Sequence, residues 1–189
     1  MTRWLSHRMV ERGIIKEEEQ ELYQFGIRNG MILLLNVVTA LVIGLLTEQL
    51  AVVAVFTLSF MVLRSYTGGY HSDSRIFCYL GSNLVLLVPV YTQAVFYKTS
   101  LAWLLAVLLV SAGIIFLLSP MHSKNRKLDK EEQKHFGRKA RLIAALELAV
   151  LGILCHAGQI PYAYAVYTGI CITALFMLVG KAQLWIQSH

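Results

Sequence analysis

Apolar stretches about as long as a bilayer is thick set the terms for this chain. About six lie along its 189 residues: about Met31 to Leu46, Leu50 to Leu63, about Ile76 to Tyr97, Leu101 to Leu118, Leu142 to about Ala157, and Tyr162 to Val179. A helix needs ~20 residues to cross the hydrocarbon core, or ~17 at the short end. The second stretch is short by itself, and it lengthens if Thr47 to Gln49 form a very tight turn, making the first two a helical hairpin. Pro89 within the third is tolerable as a kink where neighbouring groups satisfy the freed carbonyl. Ser119 and Pro120 stop the fourth, and a turn from Gly158 to Pro161 separates the fifth from the sixth. Composition agrees, with 57 % hydrophobic residues, 15 % charged residues and a mean hydropathy of +0.59. The alternating ten-residue pattern of a membrane barrel does not occur. The expected fold class is all-α: a polytopic membrane protein with about six transmembrane helices, forming a single integral membrane domain over residues 1–189.

Charge placement gives the expected orientation, because Lys- and Arg-rich loops stay on the cytoplasmic side. Five basic residues precede the first stretch (Arg3, Arg8, Arg12, Lys16 and Arg28), two lie between the second and third (Arg64 and Arg75), eight fall from Lys124 to Arg141, and Lys181 is near the end. Only Lys98 falls on the other side. Such lopsidedness implies an even number of spans in the cell membrane, with both termini and the connection after the second span in the cytoplasm. The net charge of +6 then reads as topology and contact with anionic lipid, and nucleic acid is not an expected partner.

Residues 1–29 lack the basic tip and apolar core of a cleaved signal peptide. Trp4, Leu5 and Met9 can share one helical face, and Ile15, Leu22 and Phe25 a second after Gly13, with Arg and Glu residues opposite. Amphipathic helices lying on the inner leaflet are expected here. The three cysteines, Cys78, Cys155 and Cys171, form no even framework and no CxxC pair, so neither a disulfide scaffold nor a structural zinc site is implied. Cys155 and Cys171 read as small buried hydrophobes.

The connection Arg64-Ser-Tyr-Thr-Gly-Gly-Tyr-His-Ser-Asp-Ser-Arg-Ile-Phe-Cys78 is the chemically suspicious spot. Gly68 and Gly69 permit a sharp reversal. Ser72 or Asp73 can cap the next helix, which puts Cys78 near the end of its first turn or the start of its second. The helix dipole and a nearby imidazolium would both favour the Cys78 thiolate. Seven residues of continuous helix rise roughly 10.5 Å, too far for a His–Cys hydrogen bond, so His71 must lie off the helix and fold back. The bland alternative is a solvated interfacial histidine and a packed cysteine. HExxH, Walker, GxSxG and paired-Asp patterns are absent. A zinc site from His71, Asp73 and Cys78 lacks a fourth ligand, and no cofactor or metal is expected.

Arg64-Ser, Gly69-x-His71 and Cys78, between the second and third spans of a chain this size, resemble the accessory gene regulator protein B (AgrB) family of Gram-positive bacteria. The amphipathic N-terminus and the basic loop before the last pair of helices extend the likeness over the whole chain. The resemblance implies a membrane cysteine endopeptidase with His71 and Cys78 as the catalytic pair, Arg64 and Gly69 matching the family's arginine and glycine. It implies an AgrD-like quorum-sensing propeptide as substrate. Its C-terminal tail would be cleaved through a Cys78 thioester, which then closes a thiolactone or lactone ring. A homodimer is likewise implied by resemblance alone. Asp73 as an orienter of His71 is read from position.

Outside the connection, the basic loop over residues 119–141 is expected to fix orientation and bind anionic lipid, or to capture an acidic peptide tail. Glu147 lies within the fifth span, where a carboxylate signals function or pairing, with Arg64 or a basic-loop residue as candidate partner. Trp103, Tyr162, Tyr164 and Trp185 suit interfacial belts. Two other classes stay open: a small transporter or channel using Glu147, against which the lack of internal repeats counts, and a non-catalytic peptide-binding scaffold.

Overall fold

The structure is a computed structural model and describes residues 2–68, 75–121 and 130–187. Among the described residues every regular element is helical. The chain divides into two compact units, one up to Thr39 and one from Ala40.

In the first unit, α1 (Thr2–Glu11) carries an exposed Trp4 with the Arg8 guanidinium 4.9 Å from its ring centroid. Gly13, at φ +66°, ends it: the Gly13 N–H reaches Val10 O at 2.8 Å and the Ile14 N–H reaches Met9 O at 2.9 Å, the paired bonds of a Schellman cap. A short 3-10 turn, Glu17–Glu19, leads into α2 (Gln20–Leu46).

The second unit starts in the last part of α2. Thr47 to Gln49 form the tight turn expected between the first two spans, closed by Gln49 N–H to Gly44 O at 2.9 Å and Glu48 N–H to Leu45 O at 3.2 Å. Glu48 takes the left-handed position at φ 56°. There follow α3 (Leu50–Thr67), α4 (Arg75–Tyr91), α5 (Gln93–Lys98), α6 (Leu101–Leu118), α7 (Lys130–His156) and α8 (Ile160–Gln187). Helix α8 is central and packs on α3, α4, α6 and α7. One core cluster joins Leu63, Ile115, Ala144, Ile170 and Met177, and another joins Val53, Phe56, Phe60, Leu86, Val90 and Ala165. The outer faces stay apolar, as with Leu105, Leu109 and Leu117 on α6. With hydrocarbon as solvent an apolar exterior costs nothing, and close packing of small residues holds helices together instead. At Gly169 a Cβ would stand 2.6 Å from Ser59 Oγ, so α3 and α8 approach as closely as only glycine permits.

Four helical stretches are long and apolar enough to cross a membrane: Glu17–Leu46, Leu50–Thr67, Leu101–Leu118 and Ile160–Ile186. The other two expected spans are helical as well, one with a shorter apolar part, Tyr79–Tyr91, and one forming the end of α7, whose first half is charged. The third expected span differs from its sequence pattern. Instead of continuing to Tyr97 with a kink at Pro89, the helix ends at Tyr91 and restarts as α5. Pro89 has no N–H for the preceding turn. Thr92 then closes the end, its N–H and Oγ1 both bonding Val88 O, at 3.0 Å and 2.6 Å. The Thr92 hydroxyl also hydrogen-bonds the Tyr164 hydroxyl on α8.

Candidate functional site

The suspect connection leaves from the end of α3, which is unusually well held. Arg64 lies in the last turn with its guanidinium 4.7 Å from the Phe176 ring centroid and 5.8 Å from that of Phe60. Such stacking keeps a cation close to apolar surface at modest desolvation cost. Tyr66 meets Phe136 of α7 at 6.2 Å between centroids, and Lys139 Nζ stands 5.8 Å from the Tyr66 ring. Thr67 is fully buried, and its carbonyl accepts the Met121 N–H at 2.9 Å. Gly68 sits at φ 72°, ψ −153°, and its N–H bonds Arg64 O at 3.2 Å. A side chain at Gly68 would put Cβ 2.6 Å from Met121 O.

On the far side of the connection, Cys78 is the fourth residue of α4 as described, about 4.5 Å of rise beyond Arg75. Gly69, His71 and Asp73 lie outside the described residues, as do the loop residues 122–129. The rest of the basic segment belongs to α7, where Arg141 Nε donates to Phe116 O at the end of α6, 3.2 Å away.

Glu147 lies on α7, and its described partner is neither Arg64 nor a basic-loop residue but Ser59, whose Oγ donates to Glu147 Oε2 at 3.0 Å. The contact forms where α3, α7 and α8 meet, because the missing side chain of Gly169 leaves room for the Ser59 hydroxyl. Among the described residues no group of three or more His, Cys, Asp and Glu side chains is arranged to hold a metal. Cys155 is exposed on the apolar surface and Cys171 is half-buried, and neither is in a disulfide.

The whole-chain pattern can be compared with known proteins. A model of the family described as accessory gene regulator B matches residues 1–178. The chain belongs to the AgrB family. Among its relatives, an AgrB-like protein 2 of Clostridium perfringens (strain 13 / Type A) is 24% identical over 131 residues, covering 66% of this chain and 61% of that protein. The accessory gene regulator protein B of Staphylococcus intermedius is 26% identical over 156 residues, covering 80% of each chain. The match to the clostridial relative thus spans less than two thirds of that protein's length. No solved structure matches.

Sequence reasoning missed Ser59, Gly169 and Met121. A serine and a glycine inside apolar helices give no signal by themselves, and Met121 acts through its backbone, which sequence does not display. Gly68 was visible as half of the Gly68-Gly69 pair, though without its counterpart at Met121.

Proposed function

We propose that this AgrB-family chain is a membrane cysteine endopeptidase that matures a quorum-sensing propeptide of the AgrD-like class. What carries the reading is Cys78 four residues into α4, with a histidine seven residues earlier on a glycine-bearing connection, in a chain whose family is AgrB. With Ser72 or Asp73 as the cap that the sequence offers, first-turn N–H groups would favour a thiolate at Cys78.

In this mechanism His71 takes the Cys78 thiol proton, and Sγ attacks the scissile carbonyl of the propeptide. The tetrahedral oxyanion is held by backbone N–H groups at the start of α4 or by Arg64. Collapse breaks the C–N bond, His71 protonates the departing amine, and the C-terminal tail leaves while the acyl group stays on Cys78 as a thioester. A thiol or hydroxyl within the substrate then attacks that thioester. Its proton passes through His71, the ring closes as a thiolactone or lactone, and the free Cys78 thiol returns. Low water activity at the membrane surface favours ring closure over hydrolysis. Gly69 gives the chain its reversal and Asp73 orients His71. The working protein is a homodimer in a cell membrane of Gram-positive type, with both termini cytoplasmic and its basic loop against anionic lipid.

Co-expression with a short propeptide carrying an internal Cys or Ser and an acidic tail tests the reading. Wild type is expected to release tail and ring, and His71→Ala and Cys78→Ser to release neither; unchanged processing by either variant sinks the mechanism. A second reading, a small transporter, draws on the half-buried Glu147. Its activity would survive Cys78→Ser and suffer from Glu147→Gln.

A further inference from the structure

The connection between α3 and α4 and the loop between α6 and α7 are far apart in sequence, yet their described ends are bonded to each other. The Met121 N–H donates to Thr67 O at 2.9 Å, at a residue with no exposed surface. Deprived of that donor, the Thr67 carbonyl would be a buried unpaired acceptor. The next residue, Gly68, holds a φ of 72° with ψ of −153°, a region open essentially to glycine alone. The same glycine lets Met121 O come where a Cβ would be only 2.6 Å away. On its other side the segment is backed by α7: a Cβ at Gly137 would stand 3.0 Å from Pro120 Cδ and 3.5 Å from Ser119 O. Tyr66, one residue before Thr67, is held against Phe136 on that same stretch of α7. Ser119, Pro120 and Met121 are thus clasped between Gly68, the C-cap of α3, and Gly137 of α7, with a backbone hydrogen bond locking them to α3.

We infer that the segment Ser119–Met121 is a positioning strap for the His71-bearing connection, acting through the Met121 amide on Thr67 and through backbone contact at Gly68. This rests on the peptidase reading above. His71 follows Gly68 by three residues, so the strap fixes an anchor within about 10 Å of chain from the His71 backbone. With the anchor fixed at Thr67 and Gly68, the connection leaves α3 from one place and in one direction. Met121 and Gly68 are positioning residues, since neither need touch substrate. Ser119 and Pro120 end α6, and the non-helical chain that follows brings the Met121 amide to Thr67.

The test uses the full chain in a Cys155→Ala/Cys171→Ala background, so that Cys78 alone reacts with iodoacetamide. Processing kcat and KM, the pH profile of Cys78 alkylation and thermal unfolding in detergent are measured for each variant. Gly68→Ala drives a methyl into Met121 O, and Met121→Pro removes the donor. Both are expected to lower kcat by about 10- to 100-fold, as a misplacement on the order of 1 Å does, with KM within about 2-fold. Their alkylation profile is expected to move toward that of His71→Ala, a change that loss of stability alone would not cause. Met121→Leu keeps amide and bulk, and Gly113→Ala adds a methyl where nothing lies within 4 Å; both should behave as wild type. If the harsher variants fail to fold, Gly137→Ala presses on Pro120 more gently and should give a smaller loss of the same kind. Wild-type kcat for Gly68→Ala or Gly137→Ala, or a loss of kcat with an unmoved alkylation profile, overturns the strap. Normal processing by Cys78→Ser instead removes the peptidase reading beneath it.

Discussion

The two ends of the α3–α8 bundle are built on different rules. At the end where α2 meets α3 and α7 meets α8, those two connections are closed local turns, while the longer link through α5 is tied to α8 by the Thr92 and Tyr164 hydroxyls. Glu48 and Gly158 occupy equivalent left-handed positions, at φ 56° and 70°. The Gln49 and Gln159 N–H groups reach back to Gly44 O and Leu154 O, both at 2.9 Å, so each turn satisfies its own helix end. At the other end the connections are longer, and their described parts satisfy each other: Met121 serves Thr67, and Gly68 gives way to Met121. A self-contained turn fixes only where two helices join. A crossed pair of loops fixes one loop by another, at the price of long-range order, and this is the end whose α3–α4 connection carries His71 in sequence and leads to Cys78 in α4.

The largest expected effect separates the ends by chemistry. Cys78→Ser and His71→Ala should each cut propeptide processing by roughly 10³-fold or more, the scale of losing a member of a nucleophile–base pair. Substitutions at the turn end should leave processing per folded molecule unchanged, as read by product formation normalised to folded protein. Between the ends, Ser59→Ala strips the donor from Glu147 Oε2 and should cost about 1–3 kcal/mol in unfolding free energy. Gly169→Leu wedges α3 from α8 and should cost a similar ~1–3 kcal/mol. Denaturation in detergent checks both. If instead either variant kept full stability and lost processing, the middle of the bundle would belong functionally with the connection end.

These ends were not equally legible in the amino-acid order. The turn at Thr47 to Gln49 could be read from a polar triplet between two apolar runs, and the break at Gly13 from a glycine between two amphipathic patterns, because both depend on neighbours in sequence. Glu147 stood out as a carboxylate in an apolar run, but its partner did not. Which face of α7 meets α3 depends on packing between helices, and Ser59 meets Glu147 where Gly169 on a third helix leaves it room. The end of α4 at Tyr91 was obscured by the unbroken apolarity through Tyr97: hydropathy records what lipid tolerates, whereas Pro89 and Thr92 decide where backbone hydrogen bonds stop. The strap was invisible for the strongest reason, since a backbone amide is common to every residue but proline. The peptidase pair was suggested by spacing and by family likeness together, neither being enough alone.

The smallest expected effects test whether the turn end is as local as its hydrogen bonds imply. Glu48 bears a side chain in a conformation that costs an L-residue on the order of 1–2 kcal/mol. Glu48→Gly removes that strain but frees the unfolded chain, which takes back about 0.5–1 kcal/mol. A net gain of roughly 0.5 kcal/mol is expected. Gly158→Ala runs the opposite way: it introduces the strain at φ 70° and should lower stability by about 1 kcal/mol, with no neighbour within 4 Å to add a clash. Opposite shifts in unfolding midpoint, with an unchanged processing rate for both, would leave the two turns as independent joints. A lower kcat for Gly158→Ala at unchanged KM would mean that strain in the turn before α8 reaches Phe176, which supports Arg64 18 residues further along the chain. The bundle would then act as one lever, and the contrast between its ends would be one of hydrogen bonding alone.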